Sequence, residues 1–553
     1  MNVKTCGDAS PRRSTKLPGR AAVTLGIGLA LLATTVGISC RKAPSAESSS
    51  QSEAAEDTTY LDQLFQIAVR NLNHVEEFET DEMLKQSVDR LNQWIKHQPS
   101  DRGWKPDPMV ETLSAPLRDL PVIKGLGQTE FHVEPPYGDG WTLQEAVWLR
   151  ELSRWARGGS FDALDQAKRL FDWTICNIQL DPEPIASDGT RLEAVIQRPW
   201  ETLLLGRGSA ADRAHVFILL ARQQGISAAA LAMGDPSDAS KQQVLPGLVG
   251  VLHKGQLYLF DLKLGLPIPG PHGIRRTPEG QLGVQPATLA QVAADDSLLR
   301  QLDADNDLAY PLKAADLKEV VVLLDASPAA LSRRMALVES HLVGEERLRL
   351  TYDPSADAKR FKAVAHVAGI RLWPWATESI LQEMSNRQAR ARWQTQMMLP
   401  FQSPAGPAGP LWKGRVHHLK GHFTGTPNAV EFYQAARVSQ NDLNAAQIPE
   451  PFKDLFRLAK LDASYWLGLI AAYQGNAPSA VDYLQTRTLE AIPGNLWTSG
   501  AQYNLARVYE DSDRPEKAIE LYRANRESSV YHGNLLRAKW LESLESPAKA
   551  EVK

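Results

Sequence analysis

The stretch Gly208–Ala228, GSAADRAHVFILLARQQGISA, decides how this chain is read. Ala210, Ala214, Phe217 and Ala221 recur at helical spacing, which predicts a helix that buries this face. Ser209 stands where a hydroxyl can accept a free amide of the first turn, and Gly225 suits the left-handed stop. Two strand-like segments follow, LVGVL (248–252) and LYLFD (257–261), joined across His253-Lys254-Gly255 as a hairpin. Upstream, WTICNIQLD (173–181) continues a helical run that starts at Ser160 with Leu164, Ala167, Leu170 and Phe171. Before it, Thr142 and Glu145 form the pattern of a capping box, opening a helix with Val147, Leu149, Leu152 and Trp155.

Further out, the chain of 553 residues is too long for one core and reads as several domains. Residues 59–97 carry two apolar stripes, Leu61-Leu64-Phe65-Ala68-Leu72 and Met83-Leu84-Val88-Leu91-Trp94, which predict a helical hairpin. Proline and glycine between 99 and 137 indicate an irregular connection. Residues 285–400 mix helical runs with short apolar segments such as VVVLL, giving a mainly helical region to which no chemistry is assigned. SPAGPAGP (403–410) marks a further break.

Beyond it, 410–545 shows self-similarity. Leu505, Ala506, Tyr509, Ala518 and Tyr522 repeat the pattern of Leu467, Gly468, Gly475, Ala480 and Leu484, with a partial copy at Ala429, Tyr433 and Ala436. Small residues at these offsets let two helices approach closely, and the pattern resembles tetratricopeptide repeats.

At the N-terminus, basic residues up to Arg20 precede an apolar run that ends in GISC at Cys40. This is the pattern of an export signal, and GISC resembles a bacterial lipobox, with Gly37 where a larger aliphatic residue is usual. The expected mature protein starts with a lipidated Cys40; an uncleaved membrane anchor and simple secretion are the alternatives. Residues 41–58, rich in Ser, Ala, Glu and Gln, are expected to be a disordered tether. Removing the leader takes away five basic residues and one acid, moving the formal charge from −4 to −8. An acidic chain without a clustered basic face excludes nucleic acid as an expected partner. Of the three cysteines only Cys176 would then carry a free thiol, so no intramolecular disulfide is expected.

Three elements, WTICNIQLD, the 208–228 segment and LYLFD, resemble the transglutaminase-like superfamily, whose fold is related to papain. The resemblance implies an α+β domain at 140–270 with a Cys-His-Asp triad. It places the nucleophile at Ala210, between the anchors Gly208 and Ala214, the histidine near 246–248, and the aspartate at Asp261. Helix N-termini depress a thiol's pKa, and an imidazole completes its activation. A methyl group at position 210 can do neither, and LPGLVGVL holds no histidine. Ser209 is expected to cap the helix rather than attack, because Ala211 replaces the last glycine of a G-x-S-x-G elbow. His253 is expected in a solvated turn, and Cys176 as a small buried hydrophobe without a cation nearby except distant Arg169.

VHHLKGH spaces His418 and His422 as a metal-binding helix would, with His417 beside them, but an exposed repeat helix is the expected reading. No metal and no cofactor are therefore expected. The sequence thus describes a multidomain, mainly α protein with one α+β transglutaminase-like domain and a C-terminal helical array. Its expected role is a non-catalytic binding or assembly protein of the bacterial cell envelope. It would hold protein or peptide partners on the repeat surface and the membrane through its N-terminus. The alternative is a cysteine- or serine-dependent hydrolase or acyltransferase with an unrecognised nucleophile.

Overall fold

The computed structural model describes residues 46–98, 103–183, 194–234, 242–277, 281–402 and 409–550. The leader and Cys40 lie outside the described residues. A helix, Ala46–Asn73, occupies much of the stretch expected as a tether, because its Ala- and Glu-rich composition favours the helix that the Leu61–Leu72 stripe continues. Among the described residues no helix is long and apolar enough to cross a membrane.

Residues 58–553 form one compact unit. The first helix and its neighbour Thr80–Ile95 build the expected hairpin, and their buried stripes meet Met335, Leu342 and Leu348 in a second, smaller core. Short helices, Ala115–Arg118 and Pro121–Lys124, fill the connection that follows. The next helix runs Asp139–Ala156, one turn earlier than expected. Thr142 does not cap it: its hydroxyl donates back to the Gly138 carbonyl, and Glu145 reaches across to the amide of Trp200. The helix Ala163–Asn177 is capped by Asp162 rather than Ser160, since the Asp162 carboxylate accepts the amides of Leu164 and Asp165.

The strands are β1 Gln179–Leu180, β2 Arg207–Gly208, β3 Ala228–Gly234, β4 Gln242–His253, β5 Gln256–Asp261, β6 Leu266–Pro267, β7 Pro269–Arg276, β8 Leu282–Pro286, β9 Val320–Asp325 and β10 Val367–Trp373. The central sheet has the order β10-β9-β3-β4-β5-β6. β4 and β5 form the expected hairpin, with Leu248 opposite Asp261 and His253 opposite Gln256. Lys254 and Gly255 both take positive φ, the condition for a turn matching the strand twist.

VVVLL becomes β9, fully buried between β3 and β10. The region 285–400 is therefore no separate body: β9 and β10 complete the sheet begun at β3, which extends well past residue 270. The helix Ala210–Gln223 packs on this sheet and on the helices 139–156, 163–177 and Pro199–Leu205.

C-terminal helices pack in neighbouring pairs: Pro410–Leu419 with Ala429–Ala436, Glu450–Tyr473 with 477–489, and Thr498–Asp511 with Pro515–Ala524. A Cβ on Gly468 would stand 2.7 Å from Leu484, which is why this crossing needs glycine. These helices are fastened to the sheet-bearing core rather than standing apart. Gln179 bonds the Leu496 carbonyl and the Gly500 amide, Asn504 bonds the Cys176 carbonyl, and Arg507 pairs with Asp172. Buried Arg415 donates to the carbonyls of Leu203 and Leu204, answering the C-terminal end of the 199–205 helix.

Candidate functional site

The capping box of the 210–223 helix sets the position at which the resemblance leads one to expect a nucleophile. Ser209 Oγ accepts the Asp212 amide and donates to Asp212 Oδ2, which in turn accepts the Ser209 amide at 3.0 Å. Ala210, the next residue, is 8% exposed. Facing it is Gly247 of β4, with φ +86°. A Cβ on Gly247 would lie 3.2 Å from the Ala210 methyl and 2.8 Å from the Lys263 amide nitrogen. Neither position holds a group able to carry a proton or an electron pair.

Asp261, at the end of β5, spends both oxygens on the fold. Oδ1 accepts the amides of Lys263 and Leu264 at 2.9 and 2.7 Å, and Oδ2 accepts the Tyr310 hydroxyl at 2.7 Å. Burial raises its pKa, and these hydrogen bonds oppose the rise.

Three other sequence candidates sit differently from expectation. His253 is largely covered rather than solvated, its Nε2 standing 3.6 Å from Asp162 Oδ2, because the hairpin turn folds against the start of the 163–177 helix. Cys176 does have a cation nearby: Arg507 from the C-terminal array lies 3.8 Å from Sγ. Burial outweighs it, and with Asp172 close by, the thiol is pushed up to about 12. His417 and His418 lie on a buried helix rather than an exposed one, while His422 stands beyond its end at the surface. His418 contacts Tyr433 Oη, His417 contacts His422, and burial lowers the pKa of all three histidines. The helix is central because Leu411, Trp412 and Val416 fill the core on one side and the 429–436 helix covers the other. Among the described residues no cluster suited to a metal is present.

The sequence reading passed over the other face of the 210–223 helix. Asp212, His215, Leu219 and Arg222 form a stripe, and its three polar members are covered instead of facing water. His215 Nε2 stands 3.1 Å from Asp325 Oδ1 at the end of β9, and Arg222 Nη2 donates to Asp325 Oδ2 at 3.0 Å. Glu145 Oε2 accepts the Trp200 amide at 3.0 Å. Close by, Arg334 grips Asp139 through Nε and Nη2 in a fully buried pair, and Arg198 pairs with Glu383. Between these groups lies a cavity of about 70 Å³, large enough for ordered water or a small ligand.

Electrostatics there follow from burial and pairing. Burial would raise Asp325, but His215 and Arg222 hold it at about 2. Burial would lower His215, but Asp325 and Glu145 raise it overall. Glu145 has no salt-bridge partner, and burial lifts it to about 7. Three nitrogens of residues lining the cavity, His215 Nδ1, Arg334 Nη1 and Trp200 Nε1, are buried without a hydrogen-bond partner. Each such orphan costs roughly 1–3 kcal/mol when nothing answers it. The hydroxyls at the cavity wall are committed: Thr142 to Gly138, Ser379 to Ala376, and Ser327 as acceptor for the Ala330 amide. The site can hold charge and protons, and it presents donors; it offers no activated nucleophile.

Residues 150–243 match the transglutaminase-like superfamily. None of the curated proteins and none of the solved structures matches the chain.

Proposed function

We propose that the transglutaminase-like domain of this chain is catalytically inactive, and that the protein is a binding or assembly protein of the bacterial cell envelope. One observation carries the reading: the Ala210 methyl faces the backbone of Gly247 where the family's nucleophile and histidine would meet. A triad works as a unit, so losing two members removes covalent catalysis rather than weakening it. The alternative, a cysteine or serine hydrolase with another nucleophile, finds little support. Among the described residues the only serine–histidine contact is the exposed Ser340–His341 pair, whose His341 Nδ1 also lies against the Leu337 carbonyl.

Binding is assigned to the helical array, read as tetratricopeptide-like repeats with a tether lipidated at Cys40. Phe452 and Leu458 are exposed along its 450–473 helix, and we take them as the contact residues for a partner chain. Tethering at a membrane raises the effective concentration of partners held there.

Full-length protein carrying Ala210→Cys tests the catalytic half of the reading: it should show no acyl transfer or thiol-dependent hydrolysis. Activity in that single variant would mean that a base acts from elsewhere. For the binding half, recovery of envelope proteins by the full chain should fall when Phe452 and Leu458 are changed together to serine.

A further inference from the structure

We propose that the cavity between the 210–223 helix, β9 and the 139–156 helix is a binding site for a short aliphatic carboxylate. It lies on the face of the helix opposite Ala210.

The chemistry of the wall identifies the ligand. His215 Nδ1, Arg334 Nη1 and Trp200 Nε1 are orphaned nitrogens on three separate elements that line one cavity. A carboxylate has about four lone-pair sites and accepts several N–H donors at once, whereas a cation would add repulsion to Arg334 and leave the orphans unanswered. The fixed charges nearby are already balanced in pairs: Arg334 with Asp139, Arg198 with Glu383, and Arg222 with Asp325. What remains is His215, with its Nε2 on Asp325, and Glu145, which has no ion-pair partner. Arg334 Nη1 and Trp200 Nε1 are donors as they stand, and His215 Nδ1 becomes a third whenever the imidazole, whose Nε2 lies on Asp325, carries both protons.

Size and lining set the rest of the molecule. A cavity of about 70 Å³ excludes a nucleotide or a peptide but admits a carboxyl group with a short tail. Val122, Leu219, Ala329, Ala376 and Ile380 supply an apolar wall for that tail.

Sodium acetate is the probe. Purified full-length protein is melted in increasing acetate, with sodium chloride balancing ionic strength, and in matched acetamide. The midpoint should rise saturably in the millimolar range with acetate and stay level with acetamide, which has the same shape without the charge. Trp200→Phe removes one orphaned donor and leaves the Arg334–Asp139 pair untouched; its apparent acetate affinity should fall at least fivefold. Ala376→Leu, which fills the apolar wall, should abolish the acetate effect. If Trp200→Phe fails to fold, Ala376→Leu alone decides. Equal responses to acetate, chloride and acetamide overturn the proposal, as does an unchanged acetate response in whichever variants fold.

Discussion

At its N-terminal end the 210–223 helix meets the sheet with a methyl against bare backbone, Ala210 on Gly247. On its opposite face the same helix meets the sheet with charge, His215 and Arg222 on Asp325. The first region is methyl against backbone beside a capped helix start; the second has ionisable groups, orphaned nitrogens and a cavity. The contrast teaches that one helix can meet a sheet through apolar contact at one end and through ion pairs on another face, because different elements cover each.

The largest effect that would break this comparison comes from the charged face. Asp325→Ala leaves Arg222 and His215 buried without their shared carboxylate, and should cost roughly 3–5 kcal/mol in urea unfolding. A loss under 1 kcal/mol would mean that water reaches this face freely.

Glu145→Gln should come next. The fold raises Glu145 from 4.5 to about 7, so it favours the protonated acid. That stability is whole below pH 4.5 and is lost as pH rises through about 7, by about 3 kcal/mol in all. The glutamine variant should lack this slope, so unfolding measured at pH 5 and pH 8 should differ less than in the parent. An unchanged slope would assign it to another group, such as Asp212, which burial raises to about 6.

Gly247→Ala probes the other end. With φ at +86° and the Lys263 amide 2.8 Å from the new Cβ, it should cost roughly 1–3 kcal/mol, visible as a lowered urea midpoint. A neutral result would mean that β4 can retreat, and that a histidine could be accommodated there after all.

Ser209→Ala should be the mildest. It removes the hydroxyl that accepts the Asp212 amide, and should cost about 1 kcal/mol, as the loss of a helix cap does. A much larger loss would give Ser209 a role beyond capping.

Local signals were readable without the fold. Ser209 ahead of an apolar-faced run marks a helix start, Lys254-Gly255 marks a hairpin, and a glycine at 468 marks a close helix crossing. Each depends on a few adjacent residues and on backbone geometry that they control themselves. Thr142 and Glu145 were misread because a capping box is a two-residue pattern that any short stretch can imitate, and here Glu145 serves Trp200, 55 residues away.

What the sequence determined by itself, then, is the helix and the hairpin. Only tertiary structure decided that His215 and Asp212 are buried and Arg222 largely covered, because their cover comes from β9 and the 375–385 helix, far downstream in the chain. Only it decided that VVVLL is a sheet strand and that the 410–419 helix, with His417 and His418, is central. Burial of a polar side chain is a property of the elements that meet over it, and residues next to it in the chain carry no trace of which elements those will be.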